Sequence, residues 1–593
     1  MSLLAFLVAC GAGSLFGLAL KPSGLLGKLA CLAALGSAFV FALLIGAHTT
    51  LTIGEVVLKG SQYAGLFLAV ATGSSLLLCV LALGAGWPDE LAPAALASFA
   101  GLAVAITAAD SGVALAAGAA AATAGALVIV RAAPDSVGVD GGLAEIRTIG
   151  LVAASFLFAG IAVLRPPWSG GSDSPVMVLA FLGIALALAV RSGAVPFHIP
   201  ASHLGQTGMP FAPALILVWI PAGLGILALS WSAVVFRNGS DWLNATVLLV
   251  QVVAIATLVL GGLAAIVHDE LDEVVAYSIV ADSGFVLLAL AARSDAAAEP
   301  ARLWLLVFVV AKTGLVGWAA AVGRAFGTNN LADLRGWLRR TPLLGVALVV
   351  ILIATVGWPG GAVFEARASL VRLALPGTMQ LLFFASILLT IAYAGRILII
   401  GAFRPGADVA AARSERPRLW HSTPAVVATV VAAADTSGDT SGDTSAETVV
   451  DAADLPADPS ADSPHAADPS PTPESGRRVP THVLADLVAT WRLNRTLEVS
   501  LLVIAGTVLA AVVALGGFGA NGASQSGIPM DIAAHATATP TPQPTNSGPP
   551  PTEQPTLAPR PNGSGSPAPS GSVKPSATPT PVKTSGPAQG DAG

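Results

Sequence analysis

Arg191-Ser-Gly-Ala-Val-Pro-Phe-His198 closes one long apolar stretch and leads through a Pro/Gly-rich turn into the next. A permanent charge beside a proline-broken helix, with apolar runs on both sides, describes a membrane interior. Irregular backbone and an ionisable side chain are tolerated there mainly where they line a cavity or an ion path. Pro196 and Pro200 remove backbone donors, and His198 and His203 titrate near neutral pH where water reaches them. A plainer reading has Arg191 snorkelling to the interface, with the histidines only satisfying freed carbonyls.

Composition agrees with that setting. Of 593 residues, 54% are hydrophobic and 11% charged, the balance of an integral membrane protein, which excludes a soluble core. The net charge of -6 belongs mostly to one polar insertion and implies no nucleic-acid partner. The lysines are Lys21, Lys28, Lys59, Lys312, Lys574 and Lys583, and of these Lys312 alone lies in the middle of an apolar stretch. Cys10, Cys31 and Cys79 fall in separate apolar stretches, without the spacing that a metal or iron–sulfur cluster needs. No Gly-rich phosphate loop stands between a strand and a helix, so neither nucleotide nor flavin is expected on this chain. The run from Ser2 to Leu20 lacks a basic leader region and reads as a first membrane helix in preference to a cleaved signal peptide.

Taking roughly 17 to 25 apolar residues per crossing, helices are expected near 2–20, 27–47, 63–83, 91–109, 112–131, 148–164, 176–195, 211–234, 243–267, 273–292, 302–325, 342–360, 378–400 and 498–517, about fourteen spans. The fold class is therefore an all-α polytopic membrane protein with two broken helices. Basic residues crowd the loops after odd-numbered spans, as with Arg335, Arg339 and Arg340, which places those loops in the cytoplasm and both termini outside. Residues 1–404 form the membrane domain. Residues 405–478, including Asp435-Thr-Ser-Gly-Asp-Thr-Ser-Gly-Asp443, are expected to be a disordered cytoplasmic insertion. Residues 479–518 supply an amphipathic segment and the last span, and 519–593 a Pro/Thr/Ser/Gly-rich disordered tail read as a spacer.

Three further polar stretches interrupt the apolar runs. In His268-Asp-Glu-Leu-Asp-Glu-Val-Val-Ala-Tyr-Ser278 the acids suit the first turn of a helix, through the macrodipole alone. Asp282 is different, more than two turns further in, where a carboxylate must pair, protonate or face water. Lys312 stands near the centre of its helix and must pair with a carboxylate or face water, with Asp282 on the preceding span as the expected partner. Thr355-Val-Gly357-Trp-Pro359-Gly-Gly-Ala-Val-Phe364-Glu-Ala-Arg367 is a second helix broken in mid-passage, with Glu365 and Arg367 beyond the break. A plain helix end carrying interfacial charges is the alternative. Asp110 before Ser111-Gly112 marks a turn between two spans.

In this order and spacing, the four stretches resemble the antiporter-like, proton-conducting membrane subunits of respiratory complex I, shared with Mrp-type antiporters and membrane-bound hydrogenases. Gly193-Ala194-Val195-Pro196-Phe197-His198 with Gly208-Met-Pro210 resembles the family's broken seventh helix, and Ala276-Tyr277-Ser278 with Gly284-Phe285 a later helix. Lys312 stands where many members have a mid-membrane lysine. Asp333-Leu-Arg-Gly336, Pro342 and Gly357-x-Pro359 with Phe364 resemble the second break and its approach. The likeness covers about residues 60–400.

The resemblance implies a subunit of an NADH-quinone oxidoreductase-like assembly in the inner (cytoplasmic) membrane, taking part in proton translocation and binding no cofactor itself. NADH, FMN, iron–sulfur clusters and quinone would be handled by partner subunits. A cation/proton antiporter or hydrogenase subunit, and a non-conducting structural subunit, are the alternatives. The implied path residues are Lys312, Asp282, Arg191, His198, His203, Arg367 and Glu365, with breaks at Pro196, Pro200 and Pro359. Departures bear on mechanism: the stretch 112–130 lacks the family's fifth-helix glutamate, Arg191 replaces a lysine, Pro221 sits near a usual lysine or histidine, and Arg367 sits where an acid or lysine is frequent. Arginine does not deprotonate in proteins, so the chain's own conduction is expected to be reduced.

Overall fold

Helices begin and end where polar residues, glycines and prolines interrupt the apolar runs. The computed structural model describes residues 1–20, 25–85, 90–132, 139–164, 175–198, 211–235, 241–292 and 294–403, with 506–508, 510, 511 and 514. In chain order these form α1 (Ser2–Ala19), α2 (Leu25–Leu43), β1 (Thr50–Ile53), β2 (Val56–Lys59), α3 (Gln62–Ala85), α4 (Leu91–Thr107), α5 (Ser111–Ala132), α6 (Val139–Leu164) and α7 (Pro175–Arg191). A π-helical turn, Ala214–Trp219, leads into α8 (Ile220–Val235). There follow α9 (Asp241–Val267), α10 (Leu271–Ala291), α11 (Ala298–Phe326), the single turn α12 (Trp337–Arg340), α13 (Pro342–Val356), α14 (Ala362–Ala374) and α15 (Leu382–Ala402).

Among the described residues, 9 helices are long and apolar enough to cross a membrane, and four shorter apolar helices, Leu91–Thr107, Ser111–Leu127, Val178–Arg191 and Pro342–Val356, accompany them. The expected span at 498–517, the insertion 405–478 and the tail 519–593 lie wholly or mostly outside the described residues. The expectation of an all-helical chain needs one correction. Residues 50–59 form an antiparallel hairpin, Thr50 opposite Lys59 and Ile53 opposite Val56. The β-branched Thr-Leu-Thr-Ile and Val-Val runs favour strands, and Gly54 at φ 61 makes the tight turn. Asp110 does act at a turn: its carboxylate accepts the Val113 N–H at 2.8 Å, capping α5.

The helices sort into a ring and a core. α9 presents Leu248, Leu249, Val252, Leu260 and Leu263 outward, and α1, α2 and α15 show similar apolar outer faces, the surfaces that lipid tails cover. α10, α11 and the segment Ala214–Ser232 are buried almost throughout. α11 packs against α3, α8, α10, α13 and α14, so any polar group midway along it meets protein on all sides. Close approach fixes α10 beside α9. A Cβ on Gly284 would come within 3.0 Å of the Ala254 carbonyl, and one on Gly261 within 2.9 Å of the Ala281 nitrogen.

Both expected helix breaks are present. α7 ends at Arg191, and the chain turns through Gly193 at φ 67 and the cis Val195–Pro196 bond to His198. α13 stops at Val356 because Gly357 adopts φ 82 and ψ 151, a conformation essentially confined to glycine. Pro359 lies in the turn that follows, and α14 resumes at Ala362. At one end of the bundle three loops are joined. The Leu271 N–H donates to the Asn329 carbonyl at 2.7 Å, Leu331 N–H to Asp269 O at 2.8 Å, and Gly336 N–H to Ile400 O at 3.2 Å. Arg396 of α15 closes this end, donating to the carbonyls of Ile266 and His268 and pairing with Asp269.

Candidate functional site: paired charges beside two broken helices

Asp282 projects from α10 at the level of Lys312 on α11 and Arg367 on α14, and its two oxygens face different partners. Lys312 Nζ lies 2.6 Å from Oδ2 and Arg367 Nη2 lies 3.3 Å from Oδ1. The lysine contact is one of charge, with an angle outside hydrogen-bond geometry. The ammonium donates instead to the Ser278 carbonyl at 3.1 Å. All three side chains are buried. The expected Asp282–Lys312 pairing is thus present, and Arg367 makes it a triad.

Arg367 is held by more than the carboxylate. Its Nη1 donates to the Thr355 carbonyl at 3.1 Å, near the C-terminal end of α13. The guanidinium lies over the rings of Phe285 at 4.4 Å and Trp304 at 5.0 Å, so π-faces balance part of its charge. Tyr393 of α15 completes the cluster, buried within electrostatic reach of Lys312, Asp282 and Arg367. Beside Lys312, the Thr313 hydroxyl accepts the Trp219 Nε1–H at 2.8 Å. Trp219 belongs to the π-helical turn, a local widening often found at functional sites. Taken as formal charges, two cations face one carboxylate. The guanidinium does not give up its proton, so its charge in the cluster is fixed.

The first break carries its own pair, with a partner that sequence reasoning missed. Arg191 Nη1 lies 2.5 Å from Glu145 Oε1, and both side chains are buried. That acid comes from α6, not from the stretch 112–130. The expected span at 148–164 began too late, whereas α6 starts at Val139 and carries Glu145 into the protein. Leu143 and Ile146, exposed on its outer side, were the available signal, an apolar face extending past Arg147. Among the described residues, Arg191 Nε and Nη2, Glu145 Oε2 and His198 Nδ1 are buried without hydrogen-bond partners, which leaves polar capacity for water at the break. The Val195 N–H, freed by the break, donates to Thr257 Oγ1 at 3.1 Å.

Glu365 does not join these clusters: it lies on the exposed side of α14, 3.4 Å from Arg372. His203 and Pro200 lie outside the described residues. Among the described residues, no three His, Cys, Asp or Glu side chains come together as a metal site.

Buried ion pairs seated at discontinuous helices define a polytopic membrane protein whose interior charges, not its surface, set it apart. Residues 150–392 match the family described as NADH:quinone oxidoreductase/Mrp antiporter, TM, and in this stretch the chain is similar to that family's antiporter-like subunits. Curated relatives include the NADH-quinone oxidoreductase subunit N of Heliobacterium modesticaldum, 29% identical over 33% of this chain and 41% of that protein. The subunit N 1 of Streptomyces griseus is 30% identical over 46% and 58%. The chain spans about half the length of the curated relatives it matches. The fold is also that of a chain in respiratory complex I from Thermus thermophilus, at TM-score 0.53 and 22% identity, covering 68% of this chain and 90% of that one. The Mrp complex from Dietzia sp. DQ12-45-1b gives TM-score 0.58 at 19% identity over 67% and 47%.

Proposed function

We propose that this chain is a membrane subunit of an NADH-quinone oxidoreductase-like assembly in the inner (cytoplasmic) membrane, where it takes part in proton translocation. The observation that supports this most is the Asp282–Lys312–Arg367 triad, a mid-membrane lysine held by a carboxylate between α10, α11 and a broken helix. Such a cluster is costly in a protein interior and has no role in packing that apolar residues could not fill. The curated relatives are named as subunits of that oxidoreductase, which favours it over a stand-alone antiporter.

In this reading Lys312 is the exchanging group, and it shares the Asp282 carboxylate with Arg367. Arg191, fixed by Glu145, contributes a standing positive potential without exchanging a proton, which reduces the chain's own conduction below that of a chain with two titrating lysines. Both termini lie outside, and the joined loops that include Arg335 and Arg339 face the cytoplasm. The chain carries no cofactor. Partner subunits handle NADH, FMN, iron–sulfur clusters and quinone.

Purification from the native membrane with its partners, followed by reconstitution into vesicles, tests this reading. NADH-driven proton uptake that disappears with Lys312→Ala is the expected result. Uptake that persists in Lys312→Ala but is lost with Arg191→Ala would overturn it.

A further inference from the structure

Tyr277 on α10 is in ring contact with two imidazoles that the triad does not use. His268, in the connection from α9 to α10, meets it edge-on with ring centroids 4.5 Å apart, and His198, beyond the α7 break, lies 6.3 Å away. Each imidazole keeps Nδ1 buried and, among the described residues, without a hydrogen-bond partner. His268 Nε2 faces Glu273 Oε2 at 3.8 Å, and these two side chains keep 29% and 16% of their surface open. The series therefore begins where solvent reaches it, at the joined loops, and ends at the helix break. The residue after Tyr277 is Ser278, whose carbonyl accepts the Lys312 ammonium at 3.1 Å.

We propose that Glu273, His268, Tyr277 and His198 form the entry by which protons pass from the joined loops to the α7 break. The proposal rests on the proton-translocating reading above and adds the route by which protons arrive. Glu273 collects a proton at the partly open end and concentrates positive charge beside His268. An imidazole takes a proton on one nitrogen and releases one from the other. The Tyr277 hydroxyl accepts a proton on its oxygen while handing its own on, so each group returns to its starting charge. The rings are in contact without a direct hydrogen bond among the described residues, and water bound at the Nδ1 atoms would link the groups. The Arg191 guanidinium at the break cannot take the proton, so it passes on through water to Lys312, whose ammonium sits on the Ser278 carbonyl beside Tyr277.

Two measurements on the full chain in its assembly test this. In vesicles, His268→Gln and Tyr277→Phe are expected to cut proton uptake by about tenfold or more, and His268→Asp to restore much of the loss at His268. Uptake that is abolished by Lys312→Ala yet within about twofold of normal in both entry variants would overturn the entry while leaving the proposed function standing. The second measurement does not depend on uptake. With Cys10, Cys31 and Cys79 replaced by alanine, His198→Cys is exposed to a charged, membrane-impermeant thiol reagent on the loop face. Ala332→Cys, on an exposed loop residue, serves as control. Modification of the His198→Cys protein from that face supports the entry. No modification there, while Ala332→Cys reacts, overturns it even if no uptake is detected in any variant.

Discussion

Glu145 Oε1 lies 2.5 Å from Arg191 Nη1 across the α6–α7 interface, an ion pair buried on both sides. Removing one partner strands the other charge where water is scarce. Glu145→Gln is expected to lower stability by about 3–5 kcal/mol, and Arg191→Met by a similar amount. The double substitution Glu145→Leu with Arg191→Met should recover most of that loss, because an apolar pair carries no desolvation cost. Unfolding in detergent across all four proteins reads the coupling, and strictly additive losses would mean that the pair is not energetically joined.

At the triad the order of effects is the informative quantity. Asp282→Asn leaves both Lys312 and Arg367 without their carboxylate, whereas Lys312→Met leaves the Asp282–Arg367 pair intact. The former is expected to cost several kcal/mol, at the upper end of about 3–5 kcal/mol, and the latter clearly less. Both should abolish proton uptake. Equal stability losses in melting experiments would show that Arg367 draws its support from Phe285 and Trp304 instead.

The second helix break depends on a single backbone conformation. Gly357 has φ 82, and a Cβ there would meet the Phe364 nitrogen at 2.5 Å. Gly360 also has φ 82 but has open space around it. Gly360→Ala is expected to cost about 1–2 kcal/mol for the left-handed backbone alone. Gly357→Ala should cost more, by steric exclusion, and should disturb Arg367 through the shift of α14. A melting comparison of the two variants checks this, and the reverse order would contradict the geometry.

Trp219 and Thr313 share one hydrogen bond next to Lys312. Trp219→Phe and Thr313→Val should each lower stability by about 1 kcal/mol, with the tryptophan change somewhat worse for its lost volume. The double variant should be less destabilised than the sum of the two. Additivity in denaturant titrations would indicate that the bond is not formed in the membrane.

Much of this was legible in the sequence because the membrane makes polar residues conspicuous. Lys312 and Asp282 stood alone in apolar runs, and a lone charge at that depth has few stable arrangements, so their contact could be named from residue type and spacing. The breaks at Pro196 and Gly357-Trp-Pro359 were legible for the same reason: proline and glycine act on the backbone locally. Glu145 escaped because it sits near a polar helix start, where an acid also suits the interface, and only packing against α7 shows it turned inward. Arg367 was found as a candidate, but its place on the Asp282 carboxylate depends on how α14 returns after the break. The hairpin 50–59 was hidden in a short connection, where β-branched residues carry little weight beside long apolar helices.

The two oxygens of Asp282 lead to one more consequence. One touches α11 through Lys312 and the other α14 through Arg367, while the carboxylate itself rides on α10. Electrostatics and mechanics are therefore not separable at this point. Any change at one of the two cations alters the load borne by the other, and any displacement of the half-helix α14 moves one partner of the carboxylate that Lys312 contacts. A single side chain acts here as the fastener of three helices, so that a shift of any one of them is felt at the contacts of the other two.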